Sequence, residues 1–508
     1  MKRKHPVPHH PEMSTESKAY SAHILRITTG VLSALYLIVL PLFCQSADLT
    51  IGIGRSFYDG PESPAFLHGS TRSWEALVDL DDQLRPIPWL ALSWTSDSER
   101  RVWTFTIRQN VFFHNGELLR AQHVVESIKR LKLHPKYDPM NRYEALESVE
   151  AIDDVHVVFK LSRPCVYFPN LIAYYGSPIL HPSSWDEKGR IKQLIATGPY
   201  KLDSLIPDRS ITLVRHDKYW GSLPPYDRLV FRVIQDSHSR VMALITGSID
   251  AIVDVGGILP DQQFLLSRYR DQIILESKEV ATTHYLLFNT AKKPSSDRNF
   301  RLWLAAQIDR QMLVDKLMKG FAVVAKDPYS RLNGKWSFSA LDFTSSSASV
   351  DPSHLPTHNL TILLHANTVS RWPYREMAQI IDGILRSKGI TSRILVREKA
   401  LYLTMIKEGE FHITIQPFTM MTGDPDCVYS YLLPHTKWNH AEAEKLIVSA
   451  RKTSDETSRP EIYRRLEKLL SEEVPLVPLF HDVALYAYRT RKGPVYMDAL
   501  FRPVFDKR

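Results

Sequence analysis

The sequence predicts a mixed α/β (α+β) architecture with several sheets, and three observations carry that expectation. Strand-like and helix-like segments alternate from Asp48 to the C-terminus. The strand-like ones are apolar throughout or at every second position, and the helix-like ones repeat apolar residues at three- and four-residue spacing. No long period recurs, so a solenoid is not expected. At 508 residues the chain has room for roughly three units of about 150 residues each.

The elements follow in order. Asp48 to Gly54, DLTIGIG, reads as a strand entering a Gly/Pro-rich loop, and Trp74, Ala76, Leu77 and Val78 are expected on a helix. Val102 to Arg108, VWTFTIR, alternates apolar and polar as a half-exposed strand does. Asn115-Gly116 marks a turn. Val124, Val125, Ile128 and Leu131 give Ala121 to Leu133 helical spacing, and His156 to Leu161 is a strand. Ile211 to His216, Leu229 to Ile234 and Ile249 to Val253 are expected as strands. The helix Ser237 to Thr246 lies before the last of these and stops at Gly247, a residue suited to a helix C-terminus. Arg301 to Gly320 is helix-rich, and a polar loop spans Ser337 to Leu355. Leu360 to Ala366, Arg393 to Val396 and His412 to Phe418 are expected strands, with a helix at Arg375 to Ser387. An amphipathic helix at Pro460 to Glu473 and a strand near Leu485 to Tyr488 close the chain.

The N-terminus carries an address. Lys2, Arg3, Lys4, Lys18 and Arg26 precede the apolar stretch Ile27 to Phe43, the pattern of a secretory signal. Cleavage after Ser46 puts Cys44 and Ser46 at the small-residue positions. Lipidation at Cys44 ranks second because Phe43 is large for a lipoprotein box, and a retained anchor ranks third. Cys165 and Cys427 are left to pair or to stay as two buried thiols.

Composition and motifs exclude several functions. The formal charge of +8 comes from 64 basic and 56 acidic residues that are interleaved, without the basic stripe of a nucleic-acid binder. Gly52-x-Gly54 lacks the third glycine of a dinucleotide turn, and Gly334-Lys335 runs into Trp336. There is no His-Glu-x-x-His, no Gly-x-Ser-x-Gly and no Cys-x-x-Cys. No catalytic residue, cofactor or metal ligand is therefore expected.

Six segments in order resemble one family. They are Leu77 to Trp94 (LVDLDDQLRPIPWLALSW), Trp103 to Arg130, ATGPYKL at Ala196 followed by LVRHDKYWG, Val230 to Ala251, Leu286 to Gly320, and Ile462 to Phe480. Together they are similar to the extracytoplasmic solute-binding proteins of family 5, which serve oligopeptide, dipeptide, nickel and haem importers. Arg120 and His123 stand where the family usually has Thr and Asp, which weakens a helix N-cap. Trp303 stands for a small residue and Ala196 for a glycine.

The resemblance implies a clamp of the type II periplasmic-binding-protein kind, with two lobes and an additional small domain. Residues 1–46 would be the signal peptide. Residues 47–67, 180–281 and 477–508 would form lobe I, 68–179 an inserted small domain and 282–476 lobe II. The implied function is capture of a peptide or peptide-like ligand for an ABC permease, by a monomer in the periplasm or on the outer face of the cytoplasmic membrane. A sensory or adhesive surface protein, or a nickel-chelate or haem-binding member, stays open as an alternative. The ligand-facing edges implied are Arg55, Ser56, Phe57 and Tyr58 on one side, and Gln416, Phe418, Thr419, Met420, Met421 and Asp424 on the other. Arg371 is a candidate partner for a ligand carboxylate. Peptide-binding relatives carry Trp-x-x-Asp-x-x-Asp-Pro on the second edge, and its first aspartate holds the ligand's ammonium. Here Phe418 fits the Trp, Asp424-Pro425 the Asp-Pro, and Met421 takes the place of the anchoring carboxylate. A buried ammonium without a counter-charge is costly, so recognition of a free peptide N-terminus would need another acid, such as Asp59, in that place; otherwise the ligand differs.

Overall fold

The computed structural model describes residues 48–55, 71–134, 137–138, 141–173, 176–337, 359–453, 455 and 457–505. The leader with Cys44, the candidate residues Ser56, Phe57, Tyr58 and Asp59, and nearly all of the polar loop expected at Ser337 to Leu355 lie outside them.

Strand β1 (Leu49–Ile53) is followed by the hairpin β2 (Val78–Leu80) and β3 (Pro86–Pro88). A four-stranded antiparallel sheet comes next, with β4 (Ala91–Ser96), β5 (Val102–Ile107), β6 (Leu146–Ala151) and β7 (His156–Leu161) in the order β4-β5-β7-β6. Helix α1 (Ala121–Leu133) packs on β6 and β7. Then come β8 (Tyr200–Ile206), β9 (Ser210–Arg215), β10 (Arg228–Val233), α2 (Ser237–Thr246), β11 (Ala251–Ile252) and β12 (Ile273–Phe288). The rest comprises α3 (Arg298–Gln307), β13 (Ala322–Val324), β14 (Leu360–His365), α4 (Tyr374–Arg386), β15 (Ser392–Arg397), α5 (Lys399–Glu408) and β16 (Ile413–Thr419). Helices α6 (Ala441–Lys452) and α7 (Ser458–Glu473), the long strand β17 (Leu476–Arg489) and the pair β18 (Tyr496–Met497) and β19 (Pro503–Val504) complete the chain.

One eleven-stranded sheet runs β15-β14-β16-β12-β17-β11-β1-β10-β9-β8, with β13 beside β17. Its centre is the antiparallel ribbon of β12 and β17. Ile273 to Glu279 pair with Val483 to Arg489, and Thr283 to Leu287 pair with Leu476 to His481, with a register slip between the two stretches. On one side of the slip β17 bonds β11, and on the other β12 bonds β16. The chain thus passes twice between the two halves of the sheet, at 279–283 and at 481–483. Beyond the slip, β12 is buried on both faces. Leu286 and Phe288 point into a core with Phe300, Trp303 and Met377, while Tyr285 and Leu287 point into another with Phe418, Tyr429 and Tyr463. Trp303, expected as a departure from a small residue, fills that first core.

Two expectations need correction. Trp74 to Val78 are not helical: Trp74 to Leu77 are irregular, and Val78 opens β2. This segment is buried on all sides, so its apolar run reflects enclosure and not a helical stripe. Its carbonyls bond distant partners, among them Ala91 N–H to Leu77 at 2.8 Å and Ile179 N–H to Glu75 at 2.9 Å. The missing cap of α1 is also supplied, because the His123 ring reaches back and its Nδ1 accepts the Arg120 N–H at 3.1 Å.

The family-like motifs meet at one buried carboxylate. Glu75 is 3% exposed. It accepts from Trp89 Nε1 (2.7 Å), Thr197 Oγ1 (2.8 Å), Tyr219 Oη (2.9 Å) and Trp220 Nε1 (3.0 Å). Burial pushes its carboxyl upward while those four donors pull it down. Trp89 belongs to IPWLALSW, Thr197 to ATGPY, and Tyr219 and Trp220 to DKYWG. Removing the acceptor strands four donors, each costing about 1–3 kcal/mol if left unmet. Glu75→Ala should therefore lower the unfolding free energy by about 3 kcal/mol or more, and Glu75→Gln by less. Urea titration followed by circular dichroism measures this, and an unchanged midpoint for the alanine variant contradicts it.

Candidate functional site

Open sheets bind ligands at the carboxyl ends of parallel strands where the strand order reverses. This sheet has two such points. Strand β1 lies between β10 and β11, parallel to both, and α2 steps across it. Strand β14 lies between β15 and β16, parallel to both, with α4 leading to β15 and α5 leading to β16. The first point exposes the ends of β1 and β11, with Gly54, Arg55 and Asp254. The second exposes the ends of β14 and β16, with His365 and the residues after Thr419. The two meet: a Cβ placed on Gly256 would lie 2.6 Å from Arg371 Cβ.

Asp254 is the centre of the first point and is fully buried. It accepts the Gly54 N–H at 2.9 Å and the Val255 N–H at 2.9 Å, and Arg55 Nη2 lies 2.6 Å away. Burial alone raises such a carboxyl, but Arg55, then Arg371, the Gly54 N–H and Arg240 overrule it and hold it below the usual range. Arg240, 1% exposed, spends its hydrogen bonds on carbonyls, with Nε 2.9 Å and Nη2 2.8 Å from Gly257 O. Its Nη1 would lie 2.9 Å from a Cβ on Gly54, so a larger residue there would displace the guanidinium. Arg371 differs from both. Its guanidinium has no hydrogen-bond partner among the described residues, and it lines a small pocket with Gly256, Met318, Trp372, Asp482 and Leu485. Burial brings its pKa down to about 10; Asp254 counters this, while Arg55 and Arg240 add to it. It stays charged at neutral pH. Three guanidiniums therefore share one carboxylate.

The crossing strands carry a polar seam beside this cluster. Thr283 Oγ1 is 2.9 Å from His481 Nδ1, and Tyr374 Oη is 2.6 Å from His284 Nδ1. Trp372 Nε1 donates to Asp482 Oδ2 at 3.1 Å. His284 stacks on Phe480 at 4.5 Å. Burial lowers His481 to about 4, so it is neutral. Trp372, the residue after Arg371, is thus tied to β17.

The expected second edge divides into occupied and available residues. Gln416 is buried, accepting from Tyr402 Oη at 3.0 Å, with its Nε2 3.0 Å from His435 Nδ1. Phe418 stacks on Tyr431 at 5.4 Å, Thr419 Oγ1 is 2.7 Å from Thr282 Oγ1, and Met420 is buried in the core. Asp424 is 2% exposed and bound by both ends of the Arg459 guanidinium at 2.5 and 2.8 Å. Its charge is used inside the protein. Asp426 is likewise held by Arg451 at 2.7 Å. Met421 is half-buried at the start of a loop clasped from the other side. Asn170 donates to Thr422 O at 2.9 Å, and Leu84, buried in the second core, approaches so closely that a Cβ on Gly423 would lie 2.1 Å from its carbonyl oxygen.

Asp254, Arg240 and His365 were not singled out in the sequence. The available signal was their place at the ends of strands that the sequence does indicate. His365 ends β14 and packs at a tilt against Tyr402 at 5.1 Å. Its Nε2 is enclosed without a hydrogen bond. Burial, then Arg371 and Lys399, keep it neutral with a pKa of about 4.

Among the described residues, one cluster has metal-ligand chemistry: Glu117, His123 and His181. His181 Nε2 is 2.8 Å and His123 Nε2 3.4 Å from the Glu117 carboxylate. Both rings use Nδ1 to accept a backbone N–H, from Ser183 and Arg120. Each Nε2 therefore carries the proton and points it at Glu117, whereas a metal needs that lone pair. Cys165 and Cys427 are separate, buried thiols, and burial raises both. No helix among the described residues is long and apolar enough to cross a membrane.

The fold has counterparts among known proteins. The dipeptide-binding protein of Escherichia coli K12 is 25% identical over 467 residues, covering 83% of this chain and 85% of that protein. The periplasmic binding protein DppA of Helicobacter pylori, solved with the peptide STSA, superposes with a TM-score of 0.76 at 21% identity, covering 91% of this chain and 98% of that one. NikA of Brucella suis, solved with Fe(III)-EDTA, gives 0.78 at 22% identity, covering 91% and 100%. These two share the fold, the two-lobed clamp that the chain's motifs anticipate. The family model for bacterial extracellular solute-binding proteins, family 5 Middle, matches residues 85–440. The chain belongs to the family 5 bacterial extracellular solute-binding proteins, a family of binders and not of enzymes.

Proposed function

We propose that the chain captures a peptide or peptide-like ligand bearing a carboxylate, held between the two strand-order reversals with Arg371 as its anchor, and passes it to an ABC-type permease. One observation carries this reading: Arg371 is a half-buried cation at the meeting of the two reversals, and its guanidinium makes no hydrogen bond among the described residues. Its planar fork is open to a bidentate partner, and a ligand carboxylate has the matching geometry and charge. The named ligands of similar proteins, a peptide in one case and a carboxylate-rich iron chelate in another, fit that chemistry.

The proposal includes the division into residues 47–67, 180–281 and 477–508, an inserted domain 68–179, and a second lobe 282–476. Closure pivots where β12 and β17 slip register. The leader 1–46 is removed, or retained as a lipid anchor at Cys44, and the monomer acts in the periplasm or on the outer face of the cytoplasmic membrane. Several similar proteins carry periplasmic names, which supports that address.

Arg371 should behave as a binding group and not as a structural one. In differential scanning calorimetry, ligand-free Arg371→Met should melt close to the wild-type temperature, because the half-buried guanidinium makes no hydrogen bond that the variant loses. In native mass spectrometry the wild type purified without denaturation should carry a ligand that the variant lacks. A large drop in melting temperature, or an unchanged bound ligand, contradicts the assignment.

Met421 predicts the second outcome. Asp254, Asp424 and Asp426 are each neutralised within the protein. Calorimetric titration should find N-acetyl-dialanine bound at least as tightly as dialanine. Met421→Asp should improve dialanine about tenfold, which needs only about 1.4 kcal/mol. Tight wild-type binding of dialanine, lost on acetylation, contradicts this.

A further inference from the structure

We propose that His365 is a specificity-determining residue of the cleft, reading the amide N–H that adjoins the ligand carboxylate held by Arg371. The inference rests on the anchoring role given to Arg371 above. His365 ends the central strand of the second strand-order reversal, where the short helix Ala366–Val369 leads to Arg371 six residues on. The two groups feel each other's field, since Arg371 is among the charges that keep the imidazole neutral. The ring packs at a tilt against Tyr402, and Tyr402 is itself fixed by hydroxyl bonds to Thr414 (3.1 Å) and Gln416 (3.0 Å). Its Nε2 is enclosed yet makes no hydrogen bond. A buried polar atom left in that state is costly unless a ligand satisfies it.

The charge around it decides what that ligand group is. Arg371 and Lys399 make the surroundings positive, which disfavours an ammonium. A neutral imidazole with its proton on Nδ1 offers a lone pair at Nε2, and a neutral N–H beside a carboxylate is what the last peptide bond of a peptide, or an N-acyl amino acid, presents. The site thus selects an N-acylated amino-acid end over a free amino acid, whose nitrogen at that position is cationic.

Two probes separate the contact from the rest of the site: N-acetyl-dialanine, and the same compound methylated on its final amide nitrogen. Wild-type protein should favour the first by about tenfold, the effect of one buried hydrogen bond left unmet. The preference should vanish in His365→Leu and persist in His365→Gln, which keeps a neutral acceptor. In long-range proton–nitrogen spectra of the wild type, the His365 Nε2 signal should move on saturation with the first probe and not with the second, a readout independent of whether a variant folds. Equal affinity for the two probes, a preference retained in His365→Leu, or an Nε2 signal indifferent to the first probe overturns the inference. If Arg371→Met abolishes binding of both probes while His365→Leu keeps the preference, the role of His365 falls and the carboxylate anchor stands. If neither probe binds the wild type, both fall.

Discussion

Three guanidiniums, those of Arg55, Arg240 and Arg371, converge on the single buried carboxylate of Asp254, and the rest of the cleft is arranged around that imbalance. Two of the cations have partners inside the protein. Arg55 pairs with Asp254, and Arg240 donates to the carbonyls of Gly257 and Ile234. The third comes from the opposite half of the sheet and completes no bond there. On the proposed reading, a ligand group of opposite charge relieves that excess.

The cluster sits where topology brings the chain ends of strands together. Strands β1 and β14 each occupy a reversal of strand order, and the β12–β17 ribbon carries both reversals on one continuous sheet. The ribbon slips register between Glu279 and Thr283, where its strands change neighbours. On the proposed clamp reading, that is where closure would pivot. The buried pairs Thr283–His481 and Trp372–Asp482 lie at that point, and Trp372 adjoins Arg371.

Much of the fold was legible in the sequence, because local patterning and tertiary structure agree there. Ala121–Leu133, Ser237–Thr246 and His156–Leu161 have the bounds that their apolar spacing and end residues indicate. Gly247 adopts the left-handed conformation its position demands, with φ of 81°. The Trp74–Val78 segment misled because burial on every side erases periodicity. The length of β17 was hidden by Pro478, which breaks the expected run although long-range pairing carries the strand through it. The family-like motifs proved to be scaffold, with Glu75 collecting donors from three of them.

The site was less legible than the fold. Arg371 was singled out from its type and approximate place, and the structure sets it against Gly256 beside Asp254. Asp424, by contrast, matched a motif and is buried against Arg459, a partner 35 residues away that spacing alone does not reveal. Asp254 and His365 acquire meaning only when the sheet order brings the two reversals together. The most direct test of the account is a crystal structure of protein purified without denaturation, with its own ligand in place. The account predicts a carboxylate on that ligand within about 3 Å of the Arg371 guanidinium. A ligand enclosed between the lobes with no anionic group at Arg371, or with a cation there, would contradict it.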